Sequence, residues 1–308
     1  MPELTAHHNG IRLCYERIGP GGDRLLLVTG LAADKHYWHD DFCTALLHSG
    51  FHVARFDNRD SGRSSHLDGI KARSRRTARR DPGTAPYRLE DMAEDAAAVL
   101  DALGWASAHI VGHSLGAMIA QTLAVTHPTR VSSLTCISTT PSPDIGRLAV
   151  STMLRLSWAA PGLLTRKPPR GPAEAGEWLV RQHRVIGSPG YPIDEAWLRH
   201  LGELMYTRGG FDPEARARQA AAMLAGADRR PDLASLEVPT VVVHGQDDPL
   251  IRPAGARATA DAIPGAALVL LPGMGHDLPK PLWPSIIRQI EAVADRARTA
   301  QARSWPIG

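Results

Sequence analysis

The first half of the chain alternates strand-like and helix-like patterns of apolar residues. Residues 11–18 alternate apolar and polar positions, which is typical of a half-exposed strand. The unbroken apolar run Leu25-Leu26-Leu27-Val28 instead indicates a strand covered on both faces. Apolar residues recur at helical spacing over 89–103 and stop at Gly104, which predicts an amphipathic helix. Further strands are predicted at 53–57, 108–111 and 131–138.

The pattern changes between residue 141 and about residue 236. Strand-like runs largely disappear there, and prolines divide apolar residues at helical spacing into short segments. Strands are again predicted at 240–244 and 267–271, and helices at 253–263 and 281–300. Alternating strands and helices imply a parallel sheet flanked by helices, with functional residues at the carboxyl ends of the strands. We therefore predict an α/β core formed by residues 1–140 and 237–308, into which residues 141–236 are inserted as a helical lid.

Composition limits the classes of partner. With 308 residues, 43% of them hydrophobic and 22% charged, the chain has the make-up of an ordinary globular protein. The formal net charge of +3 is too small to indicate a nucleic-acid partner. No apolar stretch approaches the ~20 residues that cross a bilayer, and the polar residues 1–10 lack the apolar centre of a signal peptide. We expect a cytoplasmic monomer or homodimer with no nucleic-acid or membrane partner.

Two local features carry little functional signal. The basic segment 71–80 has no interleaved aromatic residues and no helical stripe, so we interpret it as a solvated loop. Cys14, Cys43 and Cys136 lack a C-x-x-C spacing and lie in apolar segments, which predicts small buried side chains.

The most specific motif is a G-x-S-x-G sequence between a predicted strand and a predicted helix. It reads Gly112-His113-Ser114-Leu115-Gly116. A serine on such a sharp turn is held with its hydroxyl above the sheet, and the glycines let neighbouring backbones approach closely. Ser114 is therefore the candidate nucleophile.

A serine nucleophile needs a base and an orienting acid. The candidate base is His276, in a glycine-flanked loop just after the last predicted strand. The candidate acid is Asp248, which follows the preceding strand and stands before Pro249. Asp247 and Asp144 remain alternatives for the acid. For Asp277, next to the base, we expect a structural or solvent-facing position.

The oxyanion of an acyl-transfer reaction needs backbone N–H donors. The amide of Leu115 directly follows the nucleophile, and the amide of Leu31 lies in the loop after the strand that contains residues 25–28. No G-x-G-x-x-G or P-loop motif is present, and the histidines lack metal-ligand spacing. The sequence therefore predicts no cofactor and no metal.

With these residues in view, the chain resembles the α/β-hydrolase superfamily over about residues 10–297. Residues 56–64, Phe-Asp-Asn-Arg-Asp-Ser-Gly-Arg-Ser, are similar to the D-x-R-x-x-G-x-S loop found in many members. Within the superfamily the chain resembles a serine esterase branch that includes aclacinomycin methylesterases and actinobacterial lipases and esterases. The resemblance implies the triad Ser114, Asp248 and His276, a lid over the substrate, and structural roles for Asp57 and Arg59.

Two features depart from the superfamily pattern. The oxyanion loop reads Thr29-Gly30 where many members have His-Gly, and the basic segment 71–80 has no counterpart that we can place.

The favoured hypothesis is a serine carboxylic-ester hydrolase that acts through an acyl-enzyme on a small to medium hydrophobic ester. A carbon–carbon bond or lactone hydrolase with the same triad is an alternative, as is a non-hydrolytic receptor or cyclase on the same fold. The predicted lid supplies apolar bulk that lines the pocket or forms the lid's own core, namely Met153, Trp158, Trp178, Trp197, Met205 and Phe211.

Overall fold

The computed structural model describes residues 2–73, 75–146, 154 and 168–304. Within these residues lie eight strands: β1 (Leu4–His8), β2 (Ile11–Ile18), β3 (Asp23–Val28), β4 (Phe51–Phe56), β5 (Ala108–His113), β6 (Val131–Ile137), β7 (Thr240–Gly245) and β8 (Ala267–Leu271). They form one sheet in the order β1-β2-β4-β3-β5-β6-β7-β8. β1 pairs with β2, and β2 with β4, in antiparallel fashion, whereas the other pairs are parallel.

Helices surround this sheet. Those described are α1 (Asp40–His48), α2 (Arg75–Arg80), α3 (Leu89–Ala102), α4 (Leu115–Thr126), α5 (Pro172–Ile186), α6 (Glu195–Thr207), α7 (Pro213–Ala225), α8 (Arg230–Leu233), α9 (Pro253–Ala262) and α10 (Trp283–Ser304). Short 3-10 helices span Lys35–Tyr37, Pro82–Thr84, Pro128–Arg130 and Lys280–Leu282.

The core lies in two layers, one on each face of the sheet. Successive side chains of a strand point to opposite faces, so Leu25 and Leu27 join one buried cluster while Leu26 and Val28 join the other. All four side chains are fully buried, as their unbroken apolar run predicts. The prediction of a mostly parallel sheet covered by helices is confirmed.

One strand was not predicted from the sequence, and one local prediction needs correction. β1 is absent from the sequence-based elements because it is a polar edge strand whose Leu4 is exposed, so no alternating pattern marks it. The basic segment is not a loop throughout, since residues 75–80 form the short helix α2. Ala78 is fully buried there, and Arg79 pairs with Asp144, which together hold the segment against the protein.

Residues 168–236 are mainly helical in the structure, with α5 to α8 between β6 and β7 along the chain. The boundaries of the lid stay a prediction. Met153 and Trp158 lie outside the described residues. Cys14, Cys43 and Cys136 are all buried free thiols, as predicted. None of the described helices is both long and apolar enough to cross a membrane.

Candidate active site

Ser114 sits on a strained turn between β5 and α4. Its backbone has φ 56° and ψ −120°, a left-handed conformation that is unfavourable for a residue with a side chain and costs about 1–3 kcal/mol. The turn is held by the Ser114 N–H, which donates to the Ile137 carbonyl at 2.9 Å. Strain of this kind is typical of functional positions, and here it presents the serine side chain at the carboxyl end of β5.

The two glycines of the motif are required by close packing. A Cβ atom on Gly112 would lie 2.5 Å from Cα of Ala117, and one on Gly116 would lie 2.5 Å from the Thr29 carbonyl oxygen. Real Cβ atoms do not approach other atoms so closely. The motif therefore packs the start of α4 against both its own strand and the end of β3.

The three candidate catalytic side chains meet at the carboxyl edge of the sheet. Nε2 of His276 lies 2.9 Å from Oγ of Ser114, and Nδ1 of His276 lies 2.7 Å from Oδ2 of Asp248. A carboxylate only accepts hydrogen bonds, so the Nδ1 proton points to Asp248 and Nε2 is left to accept the serine proton. His276 thus bridges the serine and the acid in the geometry that general-base activation needs.

Asp248 is fixed by its own turn. Its buried carboxylate accepts hydrogen bonds from the backbone N–H groups of Leu250 at 2.8 Å and Ile251 at 3.0 Å, both through Oδ1. His244 also holds this turn, because its Nε2 donates to the Ile251 carbonyl at 2.7 Å. Oδ2 is therefore directed toward His276.

The alternative acids point elsewhere. Asp247 accepts a hydrogen bond from the Gly273 N–H at 2.9 Å, and Asp144 pairs with Arg79. Asp277 is partly buried and accepts from the Ser188 hydroxyl. Among the residues that the structure describes, only Asp248 gives the His276 ring a hydrogen-bonded carboxylate.

The two predicted oxyanion donors flank the serine. A Cβ atom on Gly30 would lie 3.3 Å from Cβ of Ser114, so the loop that carries Leu31 passes directly beside the nucleophile. The Leu115 N–H belongs to the first turn of α4, where no carbonyl of the helix itself accepts it. Within the described part of the chain, neither amide donates to another residue, so both N–H groups are available to a ligand.

Sequence reasoning missed a stack of three rings beside the base. The ring of His113 lies 5.1 Å from that of Tyr37, nearly parallel to it, and 5.1 Å from that of His276. The buried Nε2 of His113 has no hydrogen-bond partner among the described residues, and packing against the two neighbouring rings holds the imidazole in place. Burial, aided by the nearby His276, lowers the pKa of His113 well below its usual value, so this imidazole is neutral. No local pattern signals a contact between positions so far apart in the chain.

Asp57 and Arg59 are engaged in contacts within the protein, in agreement with the resemblance. Asp57 accepts from the Lys35 N–H at 2.8 Å and from Nη2 of Arg208 at 2.7 Å. Arg59 makes a two-pronged ion pair with Asp95 at 2.6 and 2.8 Å.

No metal site is found in the described ranges, which contain no group of three or more His, Cys, Asp or Glu side chains able to hold an ion.

Comparisons with known proteins agree with this architecture. A family model described as alpha/beta hydrolase fold matches residues 23–170. The chain is 30% identical over 295 residues to rhodomycin D methylesterase DauP of Streptomyces sp. (strain C5), a match that covers 91% of this chain and 93% of that protein. It is 29% identical, with the same coverage, to rhodomycin D methylesterase DnrP of Streptomyces peucetius.

A solved structure of a hydrolase from Pseudomonas aeruginosa PA01 superposes with a TM-score of 0.66 at 24% identity, over 96% of this chain and 97% of that one. This likeness shows the shared fold and confirms the fold class predicted from the sequence. Because the relative at 30% identity is matched along almost the whole chain, the protein belongs to the alpha/beta hydrolase fold family.

Proposed function

We propose that this protein is a serine carboxylic-ester hydrolase. The observation that carries the proposal is the bridging position of His276, which touches both Ser114 and Asp248 within hydrogen-bond distance. Two relatives whose names describe methylesterases support an ester as the substrate class. The proposed partner is a small to medium hydrophobic ester, and no cofactor takes part in the proposed reaction.

The first half of the reaction forms an acyl-enzyme. Nε2 of His276 takes the proton of the Ser114 hydroxyl as Oγ attacks the ester carbonyl carbon, and Asp248 stabilises the imidazolium that results. The carbonyl oxygen, now negative, accepts hydrogen bonds from the Leu31 and Leu115 amides. Each such donor is typically worth about 2.7–4 kcal/mol of barrier. Collapse of the tetrahedral intermediate returns the His276 proton to the departing alcohol.

The second half reverses these roles with water. His276 takes a proton from a water molecule that attacks the acyl carbon, and the same two amides hold the second oxyanion. Ser114 recovers its proton from His276 as the acid product leaves.

The lid is proposed to set substrate choice. Trp178, Trp197 and Phe211 pack with Tyr37 against a buried cluster of Leu179, Leu201 and Met205. Tyr37 also stacks on His113, so this apolar cluster extends from the predicted lid to the rings beside the base. A hydrophobic acyl or alcohol group suits such surroundings better than a charged one.

Replacing Ser114 with alanine tests the proposal. With p-nitrophenyl acetate and butyrate we expect kcat/KM to fall by at least about 10³-fold, because the nucleophile is gone. Labelling by a fluorophosphonate should vanish as well. Ser132→Ala is the matched control, since Ser132 is a partly buried serine on β6 whose Oγ donates to Oγ of Ser107 at 3.1 Å.

Hydrolysis that survives in Ser114→Ala but not in buffer alone would contradict the proposal. Measuring kcat/KM for a panel of esters, lactones and vinylogous diketones distinguishes ester hydrolysis from lactone and carbon–carbon bond hydrolysis. The proposal expects the highest kcat/KM for an ester.

A further inference from the structure

The loop that carries His276 lies against a segment of the predicted lid. Residues 186–191, which we name the lid segment, begin at the last residue of α5. They contact residues 272–277, which we name the base loop. The His276 N–H donates to the Ile186 carbonyl at 2.8 Å, and the Gly190 N–H donates to the Gly273 carbonyl at 2.9 Å. The backbone of the base loop is therefore bonded to the lid segment at both ends.

At two points the backbones of the two segments are in direct contact. A Cβ atom on Gly275 would lie 2.7 Å from the Ile186 carbonyl oxygen, and one on Gly190 would lie 2.7 Å from Cα of Gly273. Only glycine permits this approach. Glycine residues also make the backbone of the base loop flexible when nothing contacts it. Gly273, for example, adopts a φ of 74°, which other residues rarely do. The contacts with the lid segment must therefore supply the rigidity that the base loop lacks.

Ser188 is the side chain at the centre of this contact. It is 3% exposed, its Oγ accepts the Gly275 N–H at 2.9 Å, and its hydroxyl donates to Oδ1 of Asp277. Through these two bonds Ser188 contacts the residues immediately before and after His276. The hydroxyl both accepts and donates, so alanine at this position would leave one buried N–H and one partly buried carboxylate without their partner.

We propose that Ser188 is a positioning residue for the catalytic histidine, acting together with Asp277. This inference rests on the proposed function. His276 must stand within reach of Ser114 and Asp248 at once, and Ser188 holds the Gly275 backbone before it and the Asp277 side chain after it so that both distances persist. In this proposal the lid segment helps to hold His276 in its catalytic position, in addition to the role in substrate choice proposed for the lid.

Four variants test this inference: Ser188→Ala, Asp277→Ala, Asp277→Asn and Ser188→Ala combined with Asp277→Ala. We expect Ser188→Ala and Asp277→Ala each to lower kcat and the rate of fluorophosphonate labelling about tenfold, with KM within twofold of wild type. A fall of this size corresponds to the loss of about one hydrogen bond. Asp277→Asn keeps an acceptor oxygen for Ser188 and should retain most of the activity.

The double variant distinguishes positioning from unrelated damage. Ser188→Ala already removes the bond to Asp277 together with the bond to Gly275, so if Asp277 acts through Ser188 the double variant is no slower than Ser188→Ala alone. Ser133→Ala is the matched control, because Ser133 is an equally buried serine whose Oγ lies 2.8 Å from Nδ1 of His109, in the strand interior. It should lower the unfolding midpoint but leave kcat unchanged.

The inference is overturned if Ser188→Ala keeps the wild-type kcat and labelling rate, or if its loss appears only in KM. Additive losses in the double variant would also overturn it. A failure of the proposed function is a different result, since there Ser114→Ala would remain active whatever Ser188→Ala does.

Discussion

Asp247 and Asp248 are neighbours in the chain, yet of the two only Asp248 bonds His276, the proposed catalytic base. The difference lies in the backbone amides that each carboxylate meets, because Leu250 and Ile251 orient Asp248 while the Gly273 N–H holds Asp247. The sequence favoured Asp248 through its position after a strand and before Pro249. At the scale of a residue, the carboxylate that bonds His276 was predictable because the local turn determines its position.

Contacts between distant positions were not predictable in this way. Tyr37 and His113 are in different elements, and neither has a motif that indicates a partner. Ser188 likewise lies in a stretch without a distinctive pattern, although it bonds both neighbours of His276. The partners of such residues depend on which loops come together in the folded chain, and hydrophobic periodicity and motif spacing do not predict that.

Buried neutral histidines should make the protein sensitive to acid. Burial lowers the pKa of His113, His183 and His244 in the folded chain, whereas an unfolded histidine titrates near its ordinary value of about 6.5. Below that pH the unfolded state binds more protons, so the free energy of unfolding is greatest above about pH 6.5 and falls as the pH drops. Each histidine contributes a slope of up to about 1.4 kcal/mol per pH unit.

Urea unfolding between pH 5 and 7.5 measures this slope. His113→Gln should have a shallower slope than wild type, whatever its absolute stability. Ile137→Val, which shortens a buried side chain without changing any charge, should lower the free energy of unfolding at every pH and keep the wild-type slope. Identical slopes for wild type and His113→Gln would show that His113 is not the titrating group.

At the scale of elements, the helices of the predicted lid are joined to the core by buried ion pairs. Arg208, just after α6, contacts Asp34 at 2.8 Å and Asp57 at 2.7 Å, and it also pairs with Glu3. Arg218 in α7 donates two hydrogen bonds to the Asp60 carboxylate, at 2.9 and 2.7 Å. Helical spacing predicted these helices, but the pattern of apolar residues contains no information about which charges they bury.

Removing Arg218 should destabilise the protein strongly. The Asp60 carboxylate would remain buried, and among the described residues the Tyr87 hydroxyl at 2.8 Å and the Leu67 N–H at 2.9 Å would be its remaining donors. Breaking one side of a buried pair typically costs about 3–5 kcal/mol, and we expect a loss of this size for Arg218→Ala in urea unfolding.

Arg230→Ala is the comparison for that experiment. Arg230 makes a similar pair with Asp228, but both side chains are well exposed, so little change is expected. In the Arg218→Ala background, Asp60→Asn should recover part of the loss by removing the unpaired charge. Equal effects of the two arginine substitutions would mean that burial does not determine the cost.

At the scale of the whole molecule, the parallel order of the strands brings Ser114, Asp248 and His276 to one edge of the sheet. The alternation of patterns predicted the parallel sheet, but it does not specify that β4 lies beyond β3 or that β1 continues the sheet. The pairing of β1 involves a polar edge strand, and the sheet order depends on packing of helices on both faces.

The predicted lid should be required for the core to fold. Replacing residues 141–236 with a short glycine–serine linker removes the arginines that pair with Asp57 and Asp60. Two broken buried pairs, at about 3–5 kcal/mol each, are comparable to the whole stability of a typical domain, about 5–15 kcal/mol. We expect the shortened chain to lose its near-ultraviolet circular dichroism and its cooperative unfolding transition.

Asparagine at positions 57 and 60 should partly restore that transition, because an amide is less costly to bury than an unpaired carboxylate. A shortened chain that unfolds cooperatively at the wild-type midpoint would contradict this dependence on the lid.

The three buried cysteines have a practical consequence. Burial raises the pKa of Cys14 to about 11 and that of Cys43 and Cys136 to about 12, which leaves almost no reactive thiolate at neutral pH. A cysteine introduced at an exposed position would therefore react with a maleimide dye or a nitroxide far faster than any native thiol. Fluorescent or paramagnetic probes can therefore be attached in pairs at chosen exposed positions of the wild-type background, for example to measure the distance between α6 and the sheet in solution.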